Sequence, residues 1–228
     1  MDSAFDQSDG PAGEHLPDEL PLDPMPLCRQ WFDEAHTKKV QPNPNAMTLA
    51  TLDPPPHGRL SARTVLCKEM DVAGGSVVFY TNYTGRKAVA LDTNPFAAVL
   101  FHWDTLDRQI RIEGPVTRTA AAESDAYFAT RPWESQIGAW SSEQSRPIAS
   151  RAALRDRVAE TIMRFGVDAK GGIPRPPHWG GYRLWAERVE LWVAGEARIH
   201  DRAVWSRTLV KNGEGFRGGV WTATRLQP

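Results

Sequence analysis

The amino-acid sequence predicts a mainly β protein, a barrel of antiparallel strands with α-helices at its periphery, and three observations carry that reading. Short runs with strand character recur along most of the 228 residues, Pro- and Gly-rich turn signals separate them, and the helical segments between them are few and brief. A hydrophobic content of 41% over this length can bury one sizeable core. The chain therefore reads as a single domain, 27–228, preceded by a flexible N-terminal tail, 1–26, which is rich in Asp, Glu, Pro and Gly and lacks apolar periodicity.

The elements follow in order. Leu27, Trp31, Phe32 and Ala35 recur at helical spacing between Leu27 and Val40, and Pro42-Asn43-Pro44 stops that opening helix. Ala46–Leu52, Leu60–Glu69 and Ser76–Thr81 read as strands of a meander, separated by Pro-Pro-Pro-His-Gly and Gly-Gly turns. A short helix runs from Arg86 to Asp92 and closes at Asn94-Pro95, and Phe96–Trp103 and Arg108–Thr119 are two further strands. Ala120–Thr130 and Arg151–Phe165 carry helical periodicity, the second through Leu154, Val158, Ile162 and Phe165. After a Pro/Gly-rich loop from Gly166 to Gly181, Tyr182–Val193, Arg198–Trp205 and Val220–Leu226 return to strand character, with Gly213–Gly219 as the last turn.

Charge and composition exclude several classes of function. With 27 basic and 28 acidic side chains the net charge is −1, so no global field favours nucleic acid or an anionic membrane surface, and any phosphate binding must be local. No run reaches the roughly 18 apolar residues that span a bilayer, and the N-terminus lacks the basic-then-apolar order of a secretory signal, so a soluble, cytoplasmic protein is expected. Cys28 and Cys67 give no disulfide framework, and His15, His36, His57, His102, His178 and His200 are scattered without metal-ligand spacing, so no metal is expected. Nine tryptophans, concentrated in the second half, suggest large buried surfaces and a subunit interface.

Local clusters of cations are the chemistry-bearing feature. Arg63-Thr64-Val65-Leu66-Cys67-Lys68 places an Arg fork and a Lys point charge on one strand, two different ways to hold a phosphate. Tyr80-Thr81-Asn82-Tyr83-Thr84-Gly85-Arg86-Lys87 leads off a strand end into a helix whose first amides favour an anion. Two positive charges in that first turn oppose the helix dipole, and a bound phosphate supplies the reason for them. Tyr127 and Arg131 lie four apart, which puts a hydroxyl and a guanidinium on one helix face, and Pro132 ends the element with Ser135 in the following turn. Arg198 and His200, two apart in an extended segment, emerge on one face and can address one ligand.

These words, in this order from about Leu20 to the C-terminus, resemble the pyridoxamine/pyridoxine 5′-phosphate oxidase family, FMN-dependent enzymes that make pyridoxal 5′-phosphate. The match is most specific in Tyr127-Phe128-Ala129-Thr130-Arg131-Pro132-Trp133-Glu134-Ser135-Gln136-Ile137-Gly138-Ala139-Trp140. The resemblance implies an FMN-binding split β-barrel, a homodimer with FMN at the subunit interface, and oxidation of pyridoxine 5′-phosphate or pyridoxamine 5′-phosphate with O2 as acceptor and H2O2 released. It implies FMN contacts from Arg63, Thr64, Val65, Leu66, Cys67, Lys68, Tyr80, Thr81, Arg86 and Lys87, joined by Gln109, Gln144, Ser145, Trp192 and Arg202. Lys68, Tyr127, Arg131 and Ser135 would hold the substrate phosphate, and Arg198 and His200 would bind the substrate's reacting end as the catalytic pair. Many members carry Ser where this chain has Gly85, and relatives often have Asp where Asn43 stands. Two other functions are compatible with part of the pattern: a flavin oxidase of the phenazine-biosynthesis type, which need not keep the Tyr127/Arg131/Ser135 set, and a non-catalytic flavin- or pyridoxal-phosphate-binding protein, which need not keep Arg198 and His200.

Overall fold

The computed structural model describes residues 15–56, 58–167 and 172–228. The chain opens with helix α1 (Met25–Thr37) and passes into strands β1 (Ala46–Leu52), β2 (Leu60–Leu66), β3 (Glu69–Asp71) and β4 (Ser76–Asn82). Helix α2 (Arg86–Thr93) leads to β5 (Phe96–Trp103) and the long β6 (Arg108–Arg118), followed by helices α3 (Ala121–Ala129), α4 (Trp133–Ser141) and α5 (Arg151–Phe165). Strands β7 (Trp179–Trp185), β8 (Arg188–Val193), β9 (Asp201–Ser206), β10 (Leu209–Asn212), β11 (Gly215–Gly218) and β12 (Thr222–Leu226) complete it.

Ten strands form one antiparallel sheet in the order β12-β9-β8-β6-β5-β1-β2, with β7 joining β6 to β4 and β3 pairing β4. The split arises within β6. Residues 108–113 pair with β8, whereas Val116, Thr117 and Arg118 pair with β7. The change of partner falls at Gly114-Pro115, where a Cβ on Gly114 would stand 2.0 Å from the Trp185 carbonyl oxygen and proline cannot donate to a ladder. The result is a mainly β split barrel with peripheral helices.

Alternation places the core. Val99, Phe101 and Trp103 on β5, and Ile110 and Ile112 on β6, point inward, packing with Leu49, Leu191 and Trp205. The opposite face of the same strands carries half-buried or exposed side chains, among them Leu100, His102, Gln109 and Arg111. A second cluster of Phe128, Ile137, Ile173 and Trp179 packs beneath the helices.

Several expected boundaries are corrected. Helix α1 begins at Met25, not Leu27, because Pro26 lies in its first turn, where no amide donor is needed. The strand expected at Leu60–Glu69 is two, β2 and β3, and the one expected at Tyr182–Val193 is also two, β7 and β8, with β7 reaching back to Trp179. Ser135 lies on a helix, α4, and not in a turn; that nine-residue helix is too short and too weakly amphipathic to declare itself. Gly213–Gly219 is not a simple turn: Gly213, with φ +60°, tips a separate hairpin of β10 and β11.

The segment assigned to a flexible tail is packed from Leu16 onward. Leu16 is buried, its amide donates to Asp201 Oδ2 at 2.8 Å, and the Trp205 indole donates to the Pro21 carbonyl at 2.8 Å. Residues 1–14 of that tail, and His57, lie outside the described residues. Among the described residues, no helix is long and apolar enough to cross a membrane, and no cluster of three or more His, Cys, Asp or Glu could hold a metal.

Candidate functional site

Strand β4 ends at the floor of a cleft of about 840 Å3, and the Asn82–Gly85 turn feeds directly into α2. Asn82 Oδ1 accepts from the Thr84 amide at 2.8 Å, which shapes that turn. Lys87, in the first turn of α2, is thereby buried and aimed at the strand end: Nζ donates to Thr81 Oγ1 at 3.0 Å and to Gln144 Oε1 at 2.5 Å. Burial, with the nearby Arg63 charge second, lowers the Lys87 pKa from 10.5 to about 8.

Arg63 reaches the same cleft from β2. Its Nη1 donates to the Leu49 carbonyl at 3.0 Å and to Thr51 Oγ1 at 2.8 Å, and its Nη2 donates to Ser61 Oγ at 2.6 Å. These neutral partners aim the fork without cancelling its charge. Burial lowers its pKa, and the Arg86 charge adds to that. Two cations held close together, one of them buried, are unfavourable unless an anion joins them.

The other wall comes from α3 and α4. Tyr127, Arg131 and Ser135 all line the cleft, as does Lys68 from the β2 end. Arg131 lies beyond α3, which ends at Ala129, so it does not share a helix face with Tyr127 as their spacing suggested; its backbone is fixed in the following turn by Arg131 N to the Phe128 carbonyl at 3.1 Å and by Gln136 Nε2 to the Arg131 carbonyl at 2.9 Å. Its side chain is different. Nη1 is buried without a hydrogen-bond partner among the described residues, and burial lowers the guanidinium pKa. A buried donor without an acceptor, on a side chain that lines a cleft, calls for one.

The structure thus brings together Arg63, Thr64, Val65, Leu66, Lys68, Tyr80, Thr81, Lys87 and Gln144 with Tyr127, Arg131 and Ser135. It does not bring the remaining expected residues to this cleft. Arg86 turns outward into an ion pair with Asp53 at 2.5 Å and lines an adjoining cavity of about 460 Å3 with Ser145. Cys67 is spent inside the fold: its amide donates to the Asn45 carbonyl, its carbonyl accepts from Asn45 Nδ2, and burial pushes its thiol up to about 12.

Gln109, Trp192 and Arg202 form a row across β6, β8 and β9, in the registers Gln109↔Trp192 and Trp192↔Arg202, and line a separate cavity of about 230 Å3. Glu190, buried between strands, holds Arg202 through Nη2 at 2.7 Å and Nε at 3.1 Å and also pairs with Arg111. His200 lies beside this row, its ring 4.7 Å from that of Trp192 and its Nδ1 accepting from the Gly195 amide at 3.2 Å.

Arg198 and His200 do not share the face of a strand. A 3-10 turn at Glu196–Arg198 precedes β9, with Ala197 at φ +50° and Arg198 at φ +66°. The chain doubles back so tightly that a Cβ on Gly195 would stand 1.8 Å from the Ile199 carbonyl oxygen.

Sequence reasoning missed Trp179, which it left in a loop, and Glu190, which it read only as part of a strand. Alternation along β8 sends Val189, Leu191 and Val193 to the core and leaves Glu190 on the outward face, so its burial beside Arg202 is visible only in the fold. Only the fold shows Trp179 lining the cleft.

Comparison with known proteins agrees with this geometry. A family model described as pyridoxamine 5′-phosphate oxidase matches residues 32–165, and one described as the pyridoxine 5′-phosphate oxidase C-terminal dimerisation region matches 179–228. A pyridoxine/pyridoxamine 5′-phosphate oxidase of Rubrobacter xylanophilus is 48% identical over 206 residues, covering 90% of this chain and 87% of that protein. One of Ralstonia pickettii is 47% identical over 210 residues, covering 92% and 91%. Among solved structures, PhzG from Burkholderia lata in complex with tetrahydrophenazine-1-carboxylic acid superposes with a TM-score of 0.78 at 31% identity, over 92% of this chain and 95% of that one. A site with buried cations in one cleft, on a split barrel matched over nearly its whole length, leaves one assignment: the chain belongs to the pyridoxamine 5′-phosphate oxidase family.

Proposed function

We propose that this chain is an FMN-dependent oxidase that converts pyridoxine 5′-phosphate or pyridoxamine 5′-phosphate to pyridoxal 5′-phosphate, working in the cytoplasm as a homodimer. One observation carries the reading: a single cleft is lined by four cationic side chains, Arg63, Lys87, Lys68 and Arg131, together with Tyr127 and Ser135; we assign Arg63 and Lys87 to one phosphate and Lys68, Arg131, Tyr127 and Ser135 to another. Two phosphates, one of the cofactor and one of the substrate, account for both.

The residues present fit FMN. Arg63 and Lys87 would hold its phosphate, with Thr81 and Gln144 as polar neighbours, and the orphaned Arg131 Nη1 remains for a second phosphate. When bound, FMN supplies a two-electron acceptor that O2 reoxidises with release of H2O2. The chain's own contribution is positioning. Lys68, Arg131, Tyr127 and Ser135 grip the substrate phosphate and so fix the remote end of the ring, which converts an encounter into a held geometry. The alcohol substrate loses two hydrogens to become the aldehyde, and the amine becomes an imine that water converts to the aldehyde and ammonia.

Dimerisation would account for the expected residues that lie outside this cleft. Gln109, Trp192 and Arg202 lie on the outward sheet face with His200 beside Trp192, and all but Gln109, together with Arg198, fall within the region that matches a dimerisation module. A second copy docked there would bring these residues to the cleft of the first. Arg198 and His200 would then contact the substrate's reacting end.

The likeness to PhzG favours a second reading, a flavin oxidase acting on a carboxylic acid substrate. Such a substrate carries no phosphate and leaves the Tyr127/Arg131/Ser135 set unexplained, so the first reading stands. Aerobic turnover decides it: pyridoxine 5′-phosphate should give equal amounts of aldehyde and H2O2 from a yellow dimer seen by light scattering. A protein that binds FMN but oxidises neither phosphorylated vitamer would contradict the proposal.

A further inference from the structure

We infer that Trp179 is a positioning residue for phosphate recognition, holding the Arg131 guanidinium on its ring face so that the Arg131 donors stay free for the ligand. The inference rests on the proposed reading of the cleft. Arg131 Cζ lies 4.7 Å from the Trp179 ring centroid and 5.6 Å from that of Phe128. The side chain has no ion pair among the described residues, and Nη1 is buried without a hydrogen bond. An aromatic face is therefore what locates this buried cation.

The choice of an aromatic partner has a chemical consequence. A carboxylate would hold the guanidinium through two N–H groups and cancel the charge that a phosphate needs. A ring attracts the cation through its quadrupole and leaves the in-plane donors unused. The cation stays both fixed and available.

Trp179 is itself fixed. It is buried at 6% exposure at the start of β7, paired in register with Asn82, and its carbonyl accepts from Arg175 Nη1 at 2.6 Å. Arg175 in turn pairs with Asp125 of α3 at 2.6 Å, which ties the base of Trp179 to the helix that carries Tyr127. The ring lies nearly parallel to those of Tyr80, at 5.4 Å and 11°, and Tyr127, at 6.2 Å and 8°. Tyr127 stacks directly on Tyr80, at 4.0 Å and 18°, so the indole meets Arg131 directly and belongs to the same aromatic group as Tyr127.

The test compares FMN-loaded wild type, Trp179→Leu and Trp179→Phe. It measures KM and kcat for pyridoxine 5′-phosphate, the inhibition constant of inorganic phosphate, and FMN content. In Trp179→Leu, KM and the phosphate inhibition constant should rise together by about tenfold, the loss of a desolvated cation–π contact, with kcat changed far less and FMN retained. Trp179→Phe keeps a ring face and should recover most of both constants. Unchanged KM and phosphate inhibition in FMN-loaded Trp179→Leu would overturn the inference, as would a Phe variant as impaired as the Leu variant. If Trp179→Leu does not fold, Trp179→Phe still decides, since its weaker ring predicts about a two- to threefold rise in the phosphate constant and equality with wild type contradicts it. A wild type that oxidises neither vitamer is a different failure, that of the proposed function itself.

Discussion

Gln144 Oε1 stands 2.5 Å from Lys87 Nζ and also accepts from Thr81 Oγ1 at 3.0 Å, so the buried Lys87 ammonium is met by neutral dipoles and by no carboxylate among the described residues. A cation kept this way is poised for an exogenous anion. Its pKa, lowered to about 8 by burial and then by Arg63, makes the poise sensitive to pH.

The sign follows from which form binds phosphate. The FMN phosphate needs Lys87 charged, so affinity of the apo-protein for FMN should fall as pH rises above about 8, by at most about tenfold per unit for a single proton. Lys87→Met should bind FMN more weakly and lose that dependence, as read by quenching of flavin fluorescence. Stability of the apo-protein moves the other way. A lysine whose folded pKa lies below its unfolded value of 10.5 penalises the fold at low pH, and the penalty is relieved between about pH 8 and 10.5.

Arg63 and Arg131 should divide the two phosphates. Arg63→Ala removes a charge-assisted contact of about 1.5–3 kcal/mol and should weaken FMN binding accordingly, measured by equilibrium titration of the apo-protein. Arg131→Ala should raise KM for pyridoxine 5′-phosphate with FMN still bound. Loss of FMN from Arg131→Ala with normal KM would reverse the two assignments.

Glu190 joins Arg202 and Arg111 on the outward sheet face. Its carboxylate is 8% exposed, whereas Arg111 and Arg202 are 40% and 26% exposed and can turn to water when it is lost. Glu190→Ala should therefore cost about 1–3 kcal/mol in urea unfolding, below the range for a fully buried pair. An unchanged midpoint would show that the acid does not organise this row.

Arg198 sits in a left-handed turn two residues before His200, whose ring packs on Trp192, and on the proposed reading it would contact the substrate's reacting end. Arg198→Ala should slow flavin reduction at saturating substrate far more than it disturbs FMN content, measured by stopped flow. A wild-type reduction rate in that variant would remove Arg198 from the catalytic set.

Much of this was legible in the sequence because it rests on local pattern. Alternation defined Ala46–Leu52 and Phe96–Trp103 to the residue, and Ser150, an N-cap whose Oγ accepts from the Ala153 amide, opens Arg151–Phe165 where periodicity placed it. That Tyr127, Arg131 and Ser135 come together in one cleft was likewise readable, though Arg131 lies past the end of its helix and Ser135 lies within the next one. What the sequence hid depends on distant approach. Arg86 and Lys87 are adjacent and alike, yet only the fold tells that Asp53 draws one outward while Thr81 and Gln144 receive the other. Arg198 and His200 looked like a strand pair because alternation cannot register a chain that doubles back at Gly195. Trp179 was hidden for the same reason, since its contacts with Arg131 and Tyr80 span the sequence.

The most direct measurement is anaerobic mixing of the purified yellow protein with pyridoxine 5′-phosphate and, separately, pyridoxamine 5′-phosphate, followed by admission of O2. The account predicts that at least one vitamer bleaches the flavin absorbance to completion, that pyridoxal 5′-phosphate appears in equal amount, and that O2 restores the yellow colour with one H2O2 per flavin. A flavin that stays oxidised in the presence of both compounds would contradict it.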